Sequence, residues 1–337
     1  MIKPSQMEAF DALYTIAARN GRGEALFGSS YDLARTAYER TLIGNGYPMA
    51  YLEFPLLGEP CFDLLSVHAR VDCGDRFAPG AGFGYQPMFD WYAGVCNDGM
   101  ALGAGIELDT SVGQTQHAGV YLQQRMRHEL VEPFLKSVGE AERAHDYLDV
   151  LGRIPEGWPP AYVGLFPGRP GTPMRIGGYM GRAELERCAS DPSHLGECFR
   201  RVGFSAFDDH MLAQCGEFMR LVPSVDFQFD IMPDGGLGNT FGLSLSFNGT
   251  MPRAANACME SGYGARLMRV LQDWGLADDR WNLIAGAAFA RHVGYERGDG
   301  SKGRFAMCIQ FNYATVKFEA CEPKPAKFYL ACIAGPL

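Results

Sequence analysis

The chain reads as an α+β protein: a closed ten-stranded antiparallel β-barrel with a polar lumen, surrounded by α-helices. Three observations predict it. Five strand pairs recur along the sequence, helical stretches separate them, and polar residues alternate with apolar ones along almost every strand.

The elements follow in chain order. Met1 to Gly21 reads as an amphipathic helix with Phe10, Leu13 and Ile16 on one face, and Ser30 to Thr41 as a second helix. The first hairpin joins Ala50 to Gly58 with Phe62 to Val71. A long connection follows, whose Phe89, Trp91 and Tyr92 are expected to pack under a loop. The second hairpin joins Ala101 to Asp109 with His117 to Gln124. Helical spacing then runs from Arg127 to Val150, with Leu130, Phe134 and Val138 on one face. The third hairpin pairs Ala161 to Phe166 with Met174 to Met180, and helices are expected over Ala183 to Val202 and Asp208 to Leu221. Ser224 to Met232 with Thr240 to Phe247 form the fourth hairpin. Helices over Ala254 to Trp274 and Asp279 to Val293 lead to the last, Gln310 to Glu319 with Ala326 to Ile333.

Each helix has an apolar face to bury, and the strands supply a partner in Phe227, Phe229 and Ile231, in Phe241, Leu243 and Leu245, and in Ala314, Val316 and Phe318. The two-residue period then turns the interleaved positions inward. Those positions are polar: Tyr51 and Glu53; Ser66, His68 and Arg70; Glu107 and Asp109; Arg175 and Tyr179; Asp226, Gln228 and Asp230; Thr315 and Lys317; Lys327 and Tyr329. A charged interior of this kind must hold water or a polar ligand, with its charges paired.

Composition sets the outer bounds. With 337 residues, 47% of them hydrophobic, and no linker-like stretch, the chain reads as one domain over 1–337. Its net charge of −9, without a Lys/Arg run, argues against nucleic acid. No apolar run reaches membrane length and no signal core opens the sequence, which points to a cytoplasmic protein away from membranes. Ten scattered cysteines without a C-x-x-C pair argue against a disulfide scaffold and against zinc, so no metal site is expected.

Other motifs are weaker. Asp208-Asp209 and Asp278-Asp279 lack the third acid of an aspartate-rich magnesium motif and read as acids at helix starts. Gly80 to Gly84 has no P-loop lysine and reads as a loop, and no G-x-S-x-G elbow is present.

The segment ALGAGIELDTSVGQTQHAGVYLQQRMRHELVEPFLKSVGE, from Ala101, resembles the middle hairpin and helix of the cyanobactin-type peptide prenyltransferases, which have the ABBA or PT-barrel architecture. The resemblance extends to AYVGLFPGRPGTPMRIGGYM, VDFQFDIMPDG, TFGLSLSF and YATVKFEACEPKPAKFYLAC, and covers most of the chain from about Tyr51. It implies transfer of a prenyl group from an isoprenyl diphosphate, dimethylallyl or geranyl, to a side chain of a ribosomally made peptide. Magnesium would accompany the diphosphate. A small-molecule aromatic prenyltransferase and a non-catalytic ligand-binding barrel of the same fold are the alternatives.

Residue roles follow from the resemblance. Glu53 in YLEFPLLG matches the family's first-strand glutamate, the candidate base, with ion pairing at the strand mouth as the structural alternative. His68 and Arg70 in SVHARV stand where the family places a diphosphate-binding arginine; equal-length alignment favours His68 and charge favours Arg70. Arg175 and Tyr179 in MRIGGY match an arginine and a tyrosine that bind diphosphate in the related indole enzymes. Lys317 and Lys327 would add cations, and Tyr121, Tyr179, Tyr313 and Tyr329 would shield the allylic cation. Two positions depart from the pattern: Gly119 and Gly177 stand where the family carries cations.

Overall fold

The structure is a computed structural model. It describes residues 49–61, 64–69, 84–96, 103–109, 118–124, 127–247, 252–296 and 302–336, together with Ala25, Gly28, Asp32 and Thr36. Of 49–50, 64–69, 96, 291, 293–296, 302–307 and 332–336, only the backbone course is described.

An antiparallel sheet curls through the molecule. Its strands are β1 (Met49–Pro55), β2 (Leu64–Ala69), β3 (Gly103–Asp109), β4 (Gly119–Gln123), β5 (Pro160–Leu165), β6 (Met174–Tyr179), β7 (Val225–Ile231), β8 (Leu237–Ser246), β9 (Phe289–Glu296), β10 (Lys302–Glu319), β11 (Glu322–Pro323) and β12 (Lys327–Pro336). Neighbours run β12-β1-β2-β3-β4-β5-β6-β7-β8 in sequence order. β10 carries β12 along one edge, from Phe305↔Pro336 to Thr315↔Lys327. Along its other edge it carries β9, then β8 from Tyr313↔Ser246 to Glu319↔Thr240.

All ten expected strands are present, whereas several helices differ from their sequence reading. The expected helix over Asp279 to Val293 is only a 3-10 turn at Asp279–Leu283, and β9 begins at Phe289. β-branched and aromatic residues in FARHVGYE, and an open edge on the long β10, favour the strand there. Arg127 to Val150 divides into α2 (Val131–Ser137) and α3 (Ala144–Arg153), with Gly139 at a left-handed φ of 84° between them. Ala183 to Val202 divides into α4 (Arg182–Ser190) and α5 (Pro192–Val202). Asp191 ends the first and caps the second, accepting from the Ser193 and His194 amides, and Pro192 fits the first helical position. Asp208 caps α6 (Asp209–Leu221) through the Met211 amide at 2.8 Å, as an acid at a helix start should. α7 (Pro252–Ser261) and α8 (Tyr263–Asp273) part at Gly262. Residues Gln86–Cys96 form α1, whose Phe89 and Tyr92 are buried while Trp91 meets Phe134 at 6.3 Å, so this aromatic cluster is core packing. Of the expected helices before residue 49, Asp32 and Thr36 of Ser30 to Thr41 are described and helical, and the rest lies outside the described residues.

Strand alternation builds the core between sheet and helices. β7 is the clearest case: Val225, Phe227, Phe229 and Ile231 are buried, and Asp226, Gln228 and Asp230 between them are half-buried on the opposite face. Phe199 of α5 meets Phe241 edge-on at 4.6 Å, Phe204 lies 5.5 Å from Phe229, and Trp158 lies 5.2 Å from Phe227. Edge-on and tilted ring pairs of this kind favour one packing arrangement over its alternatives.

Candidate active site

The polar face of the sheet brings residues from many strands together, and most of its cations already have carboxylate partners. Arg175 stands directly opposite Asp230 in the β6–β7 register, and its guanidinium grips that carboxylate with two bonds, at 2.8 and 3.2 Å. Arg169, in the β5–β6 connection, donates to Asp109 at 2.9 and 3.0 Å and to Glu107 at 2.5 Å. Lys327 meets the buried Glu53 at 2.8 Å across the β1–β12 pair. The arginines grip Asp230 and Asp109 with forked pairs of bonds, a geometry that favours guanidinium–carboxylate pairing away from water. Lys317 is different, since among the described residues it makes no ion pair.

Aromatic side chains occupy the space between the charges. A cavity of about 90 Å³ is lined by Tyr121, Tyr162, Phe166, Tyr313, Tyr329 and Arg175, with Glu107, Asp226 and Ser244 also on its wall. Tyr313 and Tyr329 lie 4.3 Å apart between ring centres. The Arg169 and Arg175 guanidiniums approach the Phe166 ring centre to 4.1 and 4.6 Å, a cation–π arrangement. A volume of about 30 Å³ per water makes the cavity roomy enough for a few waters and too small for an organic substrate as it stands.

Glycine makes this arrangement feasible. Gly177 faces Tyr162 in the β5–β6 register, and a Cβ there would run into the Tyr162 ring. Gly105 faces Tyr121 in the same way, while a Cβ on Gly119 would meet Phe166. The glycines at two expected cation positions are therefore sites over which aromatic rings lie.

Burial and charge tune the titrating groups. Burial pushes the Asp226 carboxyl up to about 7, and no ion pair or hydrogen bond holds it among the described residues. Burial, reinforced by Arg175 and Arg169, lowers Lys317 to about 8. Burial raises Glu107 despite Arg169, whereas at Asp230 the surrounding Arg175, Lys317 and Arg169 overcome burial and hold the carboxyl below its ordinary value. Burial also raises the Tyr162 and Tyr313 hydroxyls, which stay protonated.

Of the residues read from sequence, Glu53, Arg175, Lys317, Lys327, Tyr121, Tyr313 and Tyr329 share this face. Tyr179 stands opposite Asp226 in the β6–β7 register, on the same face, but it is 43% exposed at the end of β6 and does not line the cavity, so the expectation of a shielding ring there is corrected. His68 lies in β2 opposite Gly105 and Met49, with only its backbone described, and Arg70 lies outside the described residues. Sequence reasoning missed Arg169, Tyr162, Phe166 and the unpaired state of Asp226. A glycine paired across a hairpin from an aromatic residue was the signal for Tyr162.

No family model matches the chain, and no curated protein matches it in sequence. Among solved structures, 5-dimethylallyltryptophan synthase from Streptomyces coelicolor superposes with a TM-score of 0.50 at 12% identity, covering 97% of this chain and 97% of that one. The same synthase in complex with DMASPP and Trp also superposes at 0.50 and 12%, covering 97% and 94%. At such identity the likeness is one of architecture. A curled antiparallel sheet with helices packed against it is thus the fold this chain shares with the ABBA-fold prenyltransferases.

Proposed function

We propose that this chain is a prenyltransferase that moves a prenyl group from an isoprenyl diphosphate to an acceptor inside its sheet. The observation that carries the reading is the convergence of Arg169, Arg175 and Lys317 with five aromatic rings on one polar face, in a fold whose solved neighbour is named for dimethylallyltryptophan synthesis. The β8–β10 pairing supports treating β1 to β8 with β10 and β12 as a closed ten-stranded barrel, which would exclude bulk water from a carbocation.

The chemistry uses what the wall offers. The C1–O bond of the donor breaks, the electron pair leaves with the diphosphate, and a bond forms between C1 and the acceptor. Cations must hold the leaving group. Arg169 keeps Nη1 buried without a hydrogen-bond partner, so one donor is available before any ion pair opens. Tyrosine and phenylalanine faces stabilise the allylic cation. The acceptor's proton goes to a lumen carboxylate. Glu53 is the sequence choice and is engaged by Lys327; position on the cavity wall and a pKa of about 7 favour Asp226.

Magnesium belongs to the diphosphate in this reading rather than to the protein. Glu107, Asp109 and Asp230 are held by arginines, which leaves no carboxylate set fit for a resident ion among the described residues of the lumen. Among acceptors, a tryptophan-containing peptide extends the family resemblance and free tryptophan follows the solved neighbour. The small cavity requires that ion pairs and rings rearrange as donor and acceptor enter.

Incubation with dimethylallyl or geranyl diphosphate, magnesium and either tryptophan or tryptophan-containing peptides tests the reading by mass spectrometry. A mass gain of one prenyl unit on either acceptor class supports it and identifies the class. Absence of product with every donor, together with retained ligand binding, would establish a binding barrel instead. Arg175→Ala should abolish donor binding; unchanged affinity would place the diphosphate elsewhere.

A further inference from the structure

A second group of reactive side chains sits on the helices and shares no lining residue with the lumen cavity. Glu184 and Cys188 stand one turn apart on α4, and His194 and Cys198 one turn apart on α5, so each helix presents a pair on one face. The single residue Asp191 joins the two helices and turns the pairs toward each other. Their ligand atoms all lie within 4.8 Å of one another. Cys198 Sγ is 3.7 Å from Glu184 Oε1 and 3.7 Å from His194 Nε2.

The two separations from Cys198 Sγ match edges of a metal tetrahedron. Zinc bonds of about 2.0–2.3 Å to oxygen, nitrogen and sulfur give ligand–ligand edges of about 3.3–3.8 Å. The edge from His194 Nε2 to Glu184 Oε1 is shorter, at 2.5 Å, a hydrogen bond that a cation between the two atoms would replace. The other ring nitrogen carries an independent sign. His194 Nδ1 is buried without a hydrogen-bond partner, and the Glu197 carboxylate lies 3.8 Å from it. A histidine that binds metal through Nε2 keeps its proton on Nδ1 and points it at a carboxylate.

We propose that Glu184, Cys188, His194 and Cys198 bind one zinc ion in a closed, four-ligand site that fastens α4 to α5. Two thiolates and a nitrogen suit zinc over magnesium or calcium, and four protein ligands leave no position for substrate. Binding releases the two thiol protons to solvent. The spacing, E-x3-C-x5-H-x3-C, has no C-x-x-C pair, which is why scattered cysteines read from sequence argued against zinc. Helical periodicity and the break at Asp191 supply the proximity that spacing conceals.

Full-length protein produced in zinc-containing medium and exchanged into metal-free buffer should carry one zinc per chain by elemental analysis. Cys198→Ser and His194→Ala should remove it, while Cys215→Ser, at a buried thiol outside the cluster, should retain it. Cobalt(II) added to chelator-stripped protein should give thiolate charge-transfer bands that Cys198→Ser lacks. Titration of the unsubstituted protein with a competing chelator reads zinc affinity without any variant that must fold. Absence of both zinc and cobalt binding overturns the proposal, as does metal content that survives the His194 and Cys198 changes. So does a Cys188–Cys198 disulfide in metal-free protein, seen as a linked peptide without reductant.

Discussion

Asp226 and Lys317, on the polar face of the sheet, both change protonation near neutrality, and each makes a separate prediction. The Asp226 carboxyl is raised from 3.8 to about 7 by burial, so the folded state resists its ionisation. The unfolded chain then releases this proton before the folded one does. Stability contributed by the neutral form is complete below about pH 4 and is lost as pH rises towards 7, at up to about 1.4 kcal/mol per unit. Asp226→Asn should therefore gain stability over the parent with increasing pH across that window and hold a constant margin above it. Denaturant melts at several pH values measure this, and a margin independent of pH would contradict the burial of the carboxyl. Lys317 runs the other way, its pKa lowered from 10.5 to about 8. Donor affinity should fall as pH rises through 8, because the uncharged amine no longer attracts diphosphate. Lys317→Met should bind donor more weakly at pH 7 and lose that extra pH dependence, as isothermal titration at pH 7 and 9 would report.

At the scale of elements, the β5–β6 hairpin owes its shape to a glycine beneath a ring. Gly177→Ala pushes a methyl group into Tyr162 and should cost about 1–3 kcal/mol in a chemical melt. Tyr162→Ala should cost packing by itself, yet in combination with Gly177→Ala the two costs should not add. Full additivity would mean that the ring lies elsewhere. The turn from β10 to β11 offers the opposite opportunity. Ala320 and Cys321 hold left-handed φ values of 48° and 74° between the paired Glu319 and Glu322, a two-residue turn in which side chains are strained. Ala320→Asn with Cys321→Gly should raise stability by about 1 kcal/mol, visible as a higher Tm. The α4–α5 corner follows similar local rules: Asp191 caps, Pro192 begins, and Gly203 ends α5 at φ 93°.

For the whole molecule, the pairing of β8 with β10 joins segments far apart in the chain, and hydrogen exchange can test it. Amides from Phe241 to Leu245 and from Ala314 to Phe318 should exchange as slowly as those of the β6–β7 pair. Fast exchange confined to this seam would argue for an open sheet. Much of this fold was legible in the sequence. The two-residue period in VDFQFDI assigned Phe227 and Phe229 to the helix side and Asp226 and Asp230 to the lumen, because strand geometry leaves no other choice. The same reading put Glu53, Arg175, Lys317 and Lys327 on one face. The β9 strand was not legible, since FARHV fits either period and only the free edge of β10 decides between them. Local pattern was equally silent on partners: Arg169 reaches Glu107 and Asp109 from a distant part of the chain, and Tyr162 finds its place only because Gly177 lies opposite. The sequence by itself thus determined strands, faces and the chemical inventory of the lumen. Only tertiary structure decided which charges neutralise one another, which rings fill the glycine gaps, and that four ligand-type residues on α4 and α5 converge. Periodicity is a property of consecutive residues, whereas ion pairing, ring packing and metal geometry depend on distances between segments that the chain brings together only on folding.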